Sequence, residues 1–132
     1  MNPKARRVGA KSSVVAARAK TAIQKKQRDG VPAEAIEAWA VDCLVALNVS
    51  KKDAQQIAAS LVQTSLWGID SHGVARLGHY YSRLEAGSIE PRPKIRIRRT
   101  GPCTAQVDGG HGHGIVICHR AMDEAIALAR KS

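Results

Sequence analysis

The chain is predicted to fold as an α+β domain: an N-terminal helical segment, then a β-hairpin, then a helix. Three observations predict it. Apolar residues recur at three- and four-residue spacing from Ile36 to Leu47 and again from Ala54 to Ile69. A strictly alternating run, Lys94 to Arg98, and a second short run, Thr104 to Asp108, flank a Gly101-Pro102 turn. A last helical pattern extends from Ile115 to Arg130. Two strands are rarely stable alone, so the pattern reads as an incomplete portion of a larger fold.

The elements are preceded by a segment of different character. Residues 1–30 hold nine Lys/Arg and one acid, whereas the other 102 residues hold twelve and ten. The formal charge of +10 therefore belongs mainly to the start of the chain. Residues 1–29 sustain no apolar stripe and are expected to be a disordered leader, with 30–132 as the folded portion. A basic arm suits nucleic acid or an anionic membrane surface, but a solvated tail has the same composition. An Arg/Lys-rich, acid-poor start also fits an organellar transit peptide; cytoplasmic placement is the main expectation. No stretch reaches the roughly 18 apolar residues of a membrane span. Cys43, Cys103 and Cys118 are odd in number and widely spaced, which suits free thiols in a reducing compartment. With no Phe, two Trp and two Tyr, the core must be aliphatic.

In order, the first helix follows Pro32, with Ile36, Ala40, Cys43, Leu44 and Leu47 on one face and Asn48 as its stop. Ser50 and Asp53 form a capping-box-like start for the second helix, whose stripe continues to Leu66 and Ile69. The two-residue link implies a helical hairpin. Next comes Asp70-Ser71-His72-Gly73, then a third helix of about a dozen residues with Leu77, Tyr80, Tyr81 and Leu84 inward, ended by Gly87. Pro91 and Pro93 force an extended connection into the 94–108 hairpin. A glycine-rich loop, 109–114, opens the last helix, with Cys118, Met122, Ala125, Ile126 and Ala129 expected on its buried face.

The stretch Asp70-Ser71-His72-Gly73 with Arg76 is the first candidate site. A helix beginning at Gly73 would set His72 and Arg76 one turn apart on one face. An imidazole can pass protons near neutral pH, and a guanidinium offers a planar fork to a carboxylate. The pair suits a site that binds a small acid and moves a proton at its α-carbon. Helix capping by Asp70 or Ser71 is the alternative. A serine-hydrolase role is disfavoured, because adjacent side chains rarely face each other and no Gly-x-Ser-x-Gly elbow is present.

Three further features carry less. The 109–114 loop matches neither a dinucleotide fingerprint nor a P-loop, and is either an anion-binding helix start or a plain strand-to-helix turn. His111, His113, Cys118 and His119 lack zinc-ligand spacing, so no metal site is expected. Lys94, Arg96 and Arg98 share one strand face without the aromatic residues that stack bases, which favours a solvated or edge-protecting face over nucleic acid.

Taken together, several motifs resemble the malate/L-lactate dehydrogenase family, whose fold is not a Rossmann fold. They are Gly68-Ile-Asp-Ser-His-Gly-Val-Ala-Arg76, Tyr80/Tyr81-x-Arg-Leu-x-x-Gly87, Ile89-x-Pro91-x-Pro93, Val107-Asp108-Gly109, Gly112-x-Gly114 and the Ala121-Met122…Ala125-Ile126-x-x-Ala129 helix. The resemblance covers residues 31–131. It implies interconversion of 2-hydroxy and 2-oxo acids with NAD or NADP. Ser71 and His72 would be catalytic, contacting substrate or transferring the proton, and Arg76 would hold the substrate carboxylate. It also implies a homodimer in the complete protein and a cofactor site lying mostly beyond this chain, so no cofactor-binding residue is assigned. Family members continue into an Asn-Ser-x-His segment and a cofactor-binding sheet. The chain is therefore expected to be an N-terminal portion, inactive alone. The alternatives are a remnant that only dimerises or binds small acids, and a basic nucleic-acid-binding protein.

Overall fold

The computed structural model describes residues 30–131, so the expected leader 1–29 lies outside the described residues. The chain divides into two units, Met1–Pro32 and Ala33–Ser132, and the elements below belong to the second. They are α1 (Ala33–Ala46), α2 (Lys51–Leu66), two 3-10 turns (Asp70–His72 and Val74–Arg76), α3 (Leu77–Glu85), β1 (Arg96–Gly101), β2 (Thr104–Asp108) and α4 (Gly114–Ala129). The α+β expectation holds.

Asn48 stops α1 in a left-handed conformation, φ 67°. Its N–H donates to the Val45 carbonyl at 2.9 Å and that of Val49 to Leu44 at 3.2 Å, so the last carbonyls of α1 are satisfied as the chain reverses. Ser50 then caps α2. Its Oγ accepts the Asp53 N–H at 3.2 Å and donates to Asp53 Oδ2 at 2.7 Å. The two helices pack as the predicted hairpin. Ala40 and Leu44 meet Ala54, Ile57, Ala58 and Leu61, and Leu77, Leu84, Ile89 and Val116 complete one aliphatic core. Each fully buried Leu or Ile contributes about 1.5–3 kcal/mol relative to exposure.

Four expectations need correction. First, α2 ends at Leu66, not Ile69. Gly68 takes φ 78°, its N–H donates to Ser65 O, and that of Ile69 donates to Thr64 O. This turn breaks the periodicity, and Leu66 and Ile69 are left 65% and 49% exposed. Second, α3 has nine residues and starts at Leu77. Third, β1 begins at Arg96, because β2 ends at Asp108, its partner in the antiparallel register; Lys94 and Ile95 have no opposing strand residue.

Fourth, the inward face of α4 is not the predicted one. Val116 and Leu128 are buried, while Cys118, Met122, Ala125, Ile126 and Ala129 are exposed. Residues 115–118 are all apolar, so spacing alone fits more than one face. Packing makes the choice, with the Ile117 side chain seated on Gly109, where a Cβ would collide with it. An ion pair at 2.5 Å between Arg99 and Glu124 ties β1 to α4.

The N-cap of α4 is His113, 5% exposed. Its Nδ1 accepts the Ile115 N–H at 3.2 Å, which puts the ring proton on Nε2. The ring meets Tyr80 edge-on, centroids 4.3 Å apart. Burial lowers its pKa from 6.5 to about 4.

Between the 3-10 turns, Gly73 lies against the last turn of α2. A Cβ there would overlap the Ser65 hydroxyl and come within 2.9 Å of the Ser65 amide nitrogen. Gly73→Ala is expected to cost about 1–3 kcal/mol through overpacking. Gly78→Ala, where a Cβ meets nothing within 4 Å, should raise stability by up to ~1 kcal/mol. Urea unfolding midpoints of the two variants check the contrast.

The His113 shift has a definite sign. Its folded pKa is depressed, so the unfolded chain binds the extra proton between pH 6.5 and about 4. Stability is expected to be intact above pH 6.5 and to fall as pH drops through that window. His113→Asn, a neutral cap, should flatten this part of the unfolding profile.

Candidate active site

The sequence places Ser71, His72 and Arg76 just beyond the end of α2, and the 3-10 turns decide how they meet. Ser65 Oγ accepts the Val74 N–H at 3.0 Å, which draws the segment back onto α2. Gly73 separates the two turns with φ −89° and ψ −144°. His72 and Arg76 are therefore not on one helical face, as the spacing suggested. They are joined another way. Arg76 Nε donates to the Ser71 carbonyl at 3.0 Å, and Ser71 Oγ lies 2.9 Å from His72 Nδ1. The expectation that neighbouring Ser71 and His72 side chains would miss each other is corrected by that bond.

Capping does not explain these residues. The 3-10 turn at Asp70 and α3 both lack a side-chain cap, and the residue preceding α3 is Arg76. Asp70, Ser71 and His72 are exposed and Arg76 is half-exposed. Among the described residues no side chain bonds the terminal guanidinium nitrogens of Arg76, so they are available to a ligand.

His72 lines an open cleft of about 480 Å³ between α2, the turn and the start of α4. Ser60, Thr64, Tyr80, Cys118 and His119 face it as well. Sequence reasoning missed the place of Ser60, Thr64 and Tyr80 in this cleft. Ser60 and Thr64 lie off the apolar stripe of α2, and Tyr80 reads as an inward residue of α3 and part of a family motif.

The other candidates separate. The Gly109–Gly114 loop is closed by its own bonds: Gly110 N–H to Asp108 Oδ1 at 3.0 Å and Gly112 N–H to Gly109 O at 3.0 Å. A Cβ at Gly112 would overlap Pro93. The loop is a strand-to-helix turn, with His113 Nδ1 taking the Ile115 N–H in the first turn of α4. His113 is buried against Tyr80 while Cys118 and His119 open to the cleft, so the histidines and cysteines of this region do not converge. Among the described residues no group of three His, Cys, Asp or Glu could hold a metal. On the hairpin, Arg98 pairs with Gln106 at 2.8 Å. No described helix is long and apolar enough to cross a membrane.

Known proteins resemble the region that carries this cleft. The malate/L-lactate dehydrogenase family profile matches residues 31–132. A malate dehydrogenase of Pyrococcus abyssi is 38% identical over 102 residues, covering 77% of this chain and 28% of its own length. An L-sulfolactate dehydrogenase of Methanocaldococcus jannaschii is 38% identical over 90 residues, 68% of this chain and 26% of its own. The structure of a malate dehydrogenase from Pyrococcus horikoshii superposes with a TM-score of 0.75 at 38% identity, over 77% of this chain and 29% of that one. The chain thus spans just over a quarter of the length of these relatives. Over residues 31–132 it belongs to the malate/L-lactate dehydrogenase family of oxidoreductases.

Proposed function

We propose that these residues form the acid-binding edge of an enzyme that interconverts 2-hydroxy and 2-oxo acids. One observation carries this reading: Arg76, Ser71 and His72 are linked by hydrogen bonds at 3.0 and 2.9 Å, and His72 faces the cleft. Arg76 offers its free guanidinium nitrogens to the substrate carboxylate, which orients the α-carbon. His72 Nε2 then exchanges a proton with the oxygen on that carbon. Reduction of the oxo acid builds negative charge on this oxygen, and an imidazole proton neutralises it. Ser71 supports the ring in both states, since a hydroxyl can donate to Nδ1 or accept from it.

A nicotinamide, NAD or NADP, supplies or accepts the hydride in this chemistry. The described residues do not fit as its holder. In the glycine-rich loop the Gly110 and Gly112 amides are spent on internal bonds, and His113 takes the Ile115 N–H at the start of α4. The cradle belongs to parts of the family fold outside this chain. Residues 31–132 alone accordingly bind the acid without turning it over. A homodimer of the complete protein is part of this reading. Trp67 and Met122, 70% and 59% exposed, support burial against further protein surface. Cytoplasmic placement is also part of this reading, supported by cysteines that are odd in number and widely spaced in the sequence.

Two outcomes test the assignment, read by NMR titration of the chain with L-malate. Arg76→Ala should weaken binding about 10- to 100-fold, the range of hydrogen bonds to a charged group. His72→Gln should weaken it by only a few-fold, because His72 moves a proton rather than anchoring the acid. Equal affinity of Arg76→Ala and the unaltered chain would remove Arg76 from the site.

A further inference from the structure

We infer that His119, held by Ser60, receives a second carboxylate on the β-carbon of the acid and so selects dicarboxylic over monocarboxylic 2-hydroxy acids. This rests on the assignment of Arg76 and His72 made above.

The hydroxyl proton of Ser60 is already committed. Ser60 Oγ donates to the Gln56 carbonyl at 2.8 Å, one turn earlier on α2. A hydroxyl has a single proton, so toward His119 Nε2, 3.3 Å away, Ser60 Oγ acts as acceptor. Thr64 is committed in the same way, donating to the Ser60 carbonyl at 2.7 Å. The ring of His119 therefore carries its proton on Nε2, and Nδ1 is the nitrogen left for a ligand. An anion placed there stabilises protonation of Nδ1 and receives a charge-assisted hydrogen bond.

The surroundings favour an anion. Among the described residues no aspartate or glutamate lines this cleft, while two imidazoles do, one from the 3-10 turn and one from α4. The neighbouring Arg120 turns away, toward Asp53 at 3.9 Å. A diacid has a group for each pole: one carboxylate for Arg76, the α-oxygen for His72, the second carboxylate for His119. A monoacid leaves His119 unused.

L-Malate and L-lactate differ only by a carboxylate on the β-carbon, so they are the probes. In NMR titrations of the 132-residue chain, both acids should shift the His72 ring signals. Only malate should shift those of His119, and it should bind about tenfold tighter, the size of one charge-assisted bond. His119→Ala should abolish the malate preference, and His119→Lys should restore part of it. Ser60→Ala should reduce the preference while leaving the His119 ring present, as expected of a positioning residue. A malate-to-lactate ratio unaltered in His119→Ala would overturn the inference and leave Arg76 and His72 standing. Absence of any His72 shift with either acid would overturn their assignment, and this inference with it.

Discussion

Ser65 accepts the Val74 N–H at 3.0 Å, and Gly73 approaches α2 so closely that no side chain fits between them. This one contact sets the geometry of the site. It converts the end of α2 into an anchor for the two 3-10 turns and holds Val74 and Leu77 at the core. It also turns His72 toward the cleft while Arg76 reaches back to the Ser71 carbonyl. A continuous helix through residue 73 would lift this segment away from Ser65. The polar bond at residue 65 replaces the apolar contact that the helical stripe alone would suggest.

The helix ends determine what the anchor can hold. Asn48, Gly68 and Gly87 each adopt positive φ directly after a helix, and each is followed by backbone bonds to the preceding turn. Carbonyls at the ends of α1, α2 and α3 are thereby satisfied without partners from elsewhere. Reversal at Asn48 brings α1 onto α2 and closes the core. Reversal at Gly68 starts the site. The last reversal, at Gly87, leads to Ile89, which is buried, and then to the two prolines that carry the chain to the hairpin.

His113 links this frame to α4. It caps the helix with Nδ1, packs against Tyr80 and is kept neutral by burial. Tyr80 also faces the cleft. The start of α4 is thus held beside the His72 turn, which brings His119 into the same cavity although it lies 47 residues further along the chain.

Much of the fold was legible in the residues. Ser50 with Asp53, Asn48, Gly87 and the Thr104–Asp108 strand are local signals, because caps, stops and alternation act within a few residues. Ser71, His72 and Arg76 were legible as a chemically dense cluster for the same reason, and the family motifs identified their setting. What local pattern could not decide was every choice between competing faces and partners. Residues 115–118 are apolar in succession, so only contact with α2 and β2 selects Val116 over Cys118. Ser65 looks like one more member of a stripe until Gly73 arrives against it. Ser60 and His119 are 59 residues apart and meet only because α2 and α4 are neighbours in space. The sequence by itself determined the stop at Asn48, the cap at Ser50, the end at Gly87 and which residues are chemically able to bind an acid or pass a proton, since these depend on short-range bonds and side-chain type. The tertiary structure decided which of them share a cavity, since that depends on long-range packing that no local spacing encodes.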